Sequence, residues 1–128
     1  MILTIPASAG EVIDKLTILE IKLARIADAA KRENVAREHA ALSAAWRDAV
    51  PDETPIAGLI AELRQVNEAL WDIEDEIREQ ERQSDFGATF VRLARAVYRT
   101  NDRRAELKRE INARLGSALV EEKSYAAY

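Results

Sequence analysis

The sequence predicts an all-α fold: two shorter N-terminal helices packed on a long antiparallel helical hairpin, giving a four-helix bundle-like domain. Three observations carry this expectation. Only four Gly and three Pro occur among 128 residues rich in Ala, Leu, Glu, Arg and Ile, a helix-forming composition. Two long stretches space their apolar residues alternately three and four apart. Cap or turn residues bound each stretch. The length suits one domain, residues 1–128, able to bury a core without disulfides or a structural metal.

Met1 to Ile5 is apolar and β-prone, so residues 1–7 are expected to be an extended segment docked along a helix groove. Ser8-Ala9-Gly10-Glu11 reads as a capping box that starts the first helix. Val12, Leu16, Leu19, Leu23 and Ile26 form its stripe, which Ile13, Ile18 and Ile21 widen to touch two neighbours. Asp28 is placed to cap a second helix running to about Ala49, with a weaker stripe of Val35, His39, Leu42 and Trp46. Val50-Pro51-Asp52-Glu53-Thr54-Pro55 breaks the chain, with Thr54 read as the cap and Pro55 as the first residue of the third helix.

The third helix carries Ile56, Leu59, Leu63, Val66, Leu70, Ile73 and Ile77 and is expected to reach Arg82. Ser84-Asp85-Phe86-Gly87 is a short turn that obliges the fourth helix to return antiparallel. Phe90, Leu93, Val97, Thr100, Arg104, Leu107 and Ile111 form the fourth stripe, and Gly116 ends it. The hairpin helices should each be about 40 Å long against about 30 Å for the first two, an overhang of roughly 10 Å. Uncovered apolar surface there predicts a homodimer.

Thr100 and Arg104 interrupt an otherwise apolar stripe, and a buried hydroxyl and guanidinium must find partners. In the expected register Leu70 faces Thr100 and Val66 faces Arg104, which brings Asn67 near Asn101. Glu74, Trp71 and Tyr98 lie on the same flank, where the first helix offers Asp14, Lys15 and Thr17. The candidate ligand-binding layer is therefore Asp14, Lys15, Thr17, Asn67, Trp71, Glu74, Tyr98, Thr100, Asn101 and Arg104. It reads either as a register device or as a pocket in which Lys15 and Arg104 hold a phosphate or carboxylate while Glu74 or Asp14 handles a proton.

Other constellations are weaker. Glu68, Asp72, Asp75, Glu76 and Glu79 on the third helix face outward, as do Arg92, Arg95, Arg99 and Arg103 on the fourth, and they read as solvated ion-pairing ridges. The facing helix supplies arginines rather than acids, and there is no Glu-x-x-His motif, so no metal and no cofactor is expected. His39 has no nucleophile at recognisable spacing and reads as a stripe residue, and Trp46 and Trp71 read as packing anchors. Residues 117–128 are expected to dock as a tail, the rings of Tyr125 and Tyr128 packing on the bundle.

Nineteen basic and 23 acidic residues leave a net charge of -4, which argues against nucleic acid as a partner. No stretch approaches the roughly 20 apolar residues that span a bilayer. The absence of cysteine and of a signal-like opening fits a cytoplasmic location.

Four segments, Gly10-Glu-Val-Ile-Asp-Lys-Leu-Thr-Ile-Leu-Glu-Ile-Lys22, Asn67-Glu-Ala-Leu-Trp-Asp-Ile-Glu-Asp75, Tyr98-Arg-Thr-Asn-Asp-Arg-Arg104 and Glu121-Glu-Lys-Ser-Tyr125, together resemble a bacterial family of small, uncharacterised all-helical proteins, a domain of unknown function. The resemblance covers nearly the whole chain and implies no activity. The function expected from the residues is a non-enzymatic dimerising interaction or scaffold protein, with room for a further protein partner. The alternative is an anionic-ligand binding protein or enzyme built on the polar layer.

Overall fold

A computed structural model describes all 128 residues and contains four α-helices and no strand. Helix α1 spans Ala9–Arg25, α2 Ala29–Ala49, α3 Ala57–Arg82 and α4 Ala88–Leu115, with a single 3-10 turn at Thr54–Ile56 ahead of α3. The domain is all-α and bundle-like. Its centre is a three-helix unit in which α1 lies against both arms of the α3–α4 hairpin, and α2 packs along α1, its backbone apart from α3 and α4 while Trp46 and Leu42 reach the shared core. That position follows from composition, since α2 has the least apolar helix face and buries only Trp46.

The caps set where each helix begins. Ser8 Oγ accepts from the Glu11 amide at 3.2 Å, and Asp28 Oδ1 accepts from the Lys31 amide at 2.9 Å. The expected capping box is only half made, because the Glu11 carboxylate turns instead to Lys108 at 2.7 Å. A buried ammonium is a stronger partner for a carboxylate than a helix-end amide already near water. Thr54 does not cap α3 either. Its own amide donates to Asp52 Oδ1 at 2.9 Å, and the Thr-Pro-Ile stretch forms the 3-10 turn that leads into α3. Gly116 ends α4 in the left-handed conformation at φ 62°, while the Ser117 amide reaches back to Asn112 O at 2.9 Å.

Ile13, Leu16, Trp46, Ile56, Leu59, Leu63, Leu107 and Ile111 form the core, which gathers at the end of the bundle where α1 begins and α4 finishes. The other end is thinner. Arg25, the last residue of α1, meets Asp72 and Trp71, so α3 continues for about 15 Å to Arg82 with only α4 beside it. Along that overhang Ile73, Ile77 and Phe90 are half-buried, while Phe86 and Val91 are exposed. Met1, Ile2, Leu3 and Ile5 are also exposed. No helix is long and apolar enough to cross a membrane.

Candidate functional site

The start of α1 is pressed onto α4. The Gly10 amide donates to Asn112 Oδ1 at 2.6 Å, and a Cβ at residue 10 would sit 2.6 Å from the Lys108 carbonyl oxygen. Only glycine permits this approach. It brings Glu11 and Asp14, one helical turn apart on α1, against Arg104 and Lys108, one turn apart on α4. Two antiparallel helices thus set an acid pair against a base pair.

Asp14 is the centre of this arrangement, 1% exposed. Its Oδ1 accepts from Asn67 Nδ2 and from Arg104 Nε, both at 2.9 Å, and its Oδ2 accepts from Arg104 Nη2. Arg104 therefore grips the carboxylate in fork geometry. Asn67 Nδ2 also donates to Thr17 Oγ1 at 2.9 Å, and Thr17 Oγ1 donates to the Asp14 carbonyl at 2.7 Å. Lys108 Nζ lies 2.7 Å from Glu11, 2.8 Å from Glu121 of the tail and 3.9 Å from Asp14. The Asp14 hydrogen bond holds the Arg104 pKa above its ordinary value. Burial pulls the Lys108 pKa down, but hydrogen bonds to Glu11 and Glu121 and the charge of Asp14 outweigh it. Both cations stay charged.

Of the ten sequence-derived residues, the structure gathers Asp14, Thr17, Asn67 and Arg104 into this hydrogen-bonded cluster. Asn101 and Tyr98 lie nearby, lining the cleft between α4 and the tail. The others lie apart. Lys15 pairs with Glu38 of α2 at 2.8 Å, and Glu74 pairs with Arg78 on its own helix. Trp71 lies under the Arg25 guanidinium, 5.9 Å from its ring centroid. Thr100 sits in a shallow surface depression with Val66 and Arg103. Sequence reasoning missed Gly10, Glu11, Lys108, Asn112 and Glu121. The signal was present in the matched spacing of Glu11 with Asp14 and of Arg104 with Lys108.

The outer acids of α3 do not gather into a metal-holding group. His39 is half-buried beside Glu20 and Ser43. The tail comes back along α4, with Glu122 on Arg109 at 2.8 Å and the Tyr128 hydroxyl donating to Asp102 at 2.5 Å. Its rings do not pack down as expected: Tyr125 is 82% and Tyr128 75% exposed, the latter meeting Tyr98 edge-on at 5.0 Å. The Lys108 hydrogen bond holds the Glu121 carboxyl below the usual glutamate range, with burial opposing it. A depressed folded-state pKa stabilises the docked tail above the free-glutamate value, and that contribution is lost as pH falls through the folded one. Backbone NMR signals of Glu121 and Lys123 are therefore expected to move toward random-coil positions between about pH 5 and pH 3. Unchanged signals across that range would show that Glu121 does not hold the tail.

The family described as a family of unknown function, DUF6165, matches residues 3–128, and the chain belongs to it. No curated protein and no solved structure matches the chain.

Proposed function

Because a family of unknown function lends no chemistry, we propose from geometry alone that the protein is a non-enzymatic interaction module whose overhanging hairpin associates with a second copy. The observation that carries the non-enzymatic part is the closure of the polar layer. Asp14, the one buried carboxylate, has its oxygens occupied by Asn67 and Arg104, and Lys108 is occupied by Glu11 and Glu121. A catalytic acid or base needs a free face toward a substrate. Lys15 and Glu74, the other members of a possible pocket, are paired elsewhere.

Self-association is supported by the charges of the overhang. Arg92, Arg95 and Arg99 line one surface of α4 with Ala88, Val91 and Ala96. None of the three arginines forms an ion pair within the chain, and neither do Asp75 and Glu76 of α3. At the same level of the hairpin one helix offers unpaired cations and the other unpaired acids. A two-fold arrangement can set each against its opposite in a second copy.

Light scattering between about 1 and 100 µM is expected to give a mass approaching twice the 14.4 kDa of one chain. R92E/R95E/R99E and D75R/E76R should each be monomeric alone and associate when mixed. A wild-type chain that stays at single-chain mass throughout the range would sink the reading.

A further inference from the structure

After Gly116 the chain folds back over α4 and is held at its two ends. Glu121 and Glu122 bind Lys108 and Arg109 at one end, and Tyr128 binds Asp102 and meets Tyr98 at the other. No backbone–backbone hydrogen bond ties residues 118–128 to the helices. A cleft of about 930 Å³ lies between α4 and the tail, lined on the tail side by Tyr125, Ala126 and Ala127 among others. That volume is within the range of ligand-holding clefts. The Asn101 side chain lines the cleft and makes no hydrogen bond within the chain.

The tail is therefore a loose occupant of a surface better equipped than the tail uses. Leu119 and Val120 are about half exposed and Tyr125 is 82% exposed, and the Glu122–Arg109 pair, exposed on both sides, holds weakly. The surface beneath has a defined polarity. Arg109 and Asp102 are two turns apart on one helix, so the cationic and acceptor ends are separated by about 10 Å. An extended segment covers that distance in roughly three residues. The tail spends Glu122 to Tyr128 on the same distance, more residues than an extended segment needs.

We propose that this cleft is a peptide-binding groove, that the tail is its resident, displaceable occupant, and that its outside ligand is an acidic, tyrosine-bearing segment of another protein. The chemistry is read from the contacts the tail makes. Carboxylates belong on Lys108 and Arg109, and an aromatic hydroxyl belongs on Asp102 with its ring against Tyr98. A segment spanning the two ends without slack fills the cleft and reaches Asn101. The proposal is independent of hairpin self-association.

The test uses full-length protein and, as probe, a synthetic peptide with the sequence of residues 119–128. In the wild type the tethered tail competes at high effective concentration. Removing its anchors with E121A/E122A is expected to tighten peptide binding at least about tenfold, and adding R109E is expected to reverse that gain. R92E/R95E on the E121A/E122A background should leave peptide affinity unchanged, which separates this result from the hairpin result. No saturable binding to E121A/E122A, or equal affinity for it and the wild type, overturns the proposal. So does a wild-type dimer abolished by E121A/E122A, which would make the occupant the tail of a second copy.

Discussion

Asp14→Ala is expected to cost about 3–5 kcal/mol, the range for breaking a buried ion pair by removing one partner. The loss is large because three groups depend on that carboxylate. Arg104 loses both acceptors of its fork, Asn67 loses one of two acceptors, and Lys108 keeps Glu11 and Glu121 but loses the charge behind them. For a domain whose total stability is of order 5–15 kcal/mol, that is at least about a fifth and, at the low end of the range, most of it. Arg104→Leu should also destabilise the fold, because the buried Asp14 then keeps only Asn67 as a hydrogen-bond donor. The double variant D14A/R104L removes both charges and should cost less than the sum of the single variants. Chemical denaturation of the four proteins measures the coupling. Additive losses would mean that the pair does not act as a unit, and the polar layer would lose its standing as a lock.

Gly10→Ala is expected to lower stability by about 1–3 kcal/mol, the range for forcing extra volume into a packed contact. Its Cβ would meet the Lys108 carbonyl at 2.6 Å and Asn112 Oδ1 at 3.0 Å, so backbone rather than a flexible side chain must yield. Separating α1 from α4 would stretch the Gly10–Asn112 bond and carry Glu11 away from Lys108. Helix propensity works the other way, favouring alanine by about 1 kcal/mol, so a net loss isolates the packing effect. Gly58→Ala is the matched control. It lies in α3 with nothing within 4 Å of an added Cβ, and is expected to stabilise by about 0.5–1 kcal/mol. Thermal melts of the two variants should shift in opposite directions. A Gly10→Ala protein as stable as the wild type would show that the helices part without penalty.

Much of the fold was legible in the chain. Ser8 and Asp28 are caps where the sequence placed them, the Pro-rich break and the Ser84–Gly87 turn fall between helices, and Gly116 stops α4. These are local properties, decided within a few residues by backbone conformation and capping chemistry. The apolar stripes named the core residues Leu59, Leu63, Leu107 and Ile111 for the same reason, since periodicity fixes which face of a helix is buried. The misfit of Arg104 in its stripe pointed to a polar layer.

Which groups meet in that layer was not legible. Lys15 and Lys108 are both lysines near helix faces, yet only Lys108 enters the cluster, while Lys15 turns to Glu38. Glu74 shares a flank with Asn67 in the helical pattern but closes on Arg78 one turn along. A stripe describes one helix, and it does not give the rotation and close approach of two. Here those are set by Gly10, which lets α1 settle against the α4 backbone and puts Glu11 and Asp14 within reach of Lys108 and Arg104. The helices, their ends and their buried faces follow from the order of residues, because those depend on neighbours along the chain. The partners of each charge and the cleft beside the tail come only from packing, because both depend on how separately formed helices and a returning tail are fitted together in space.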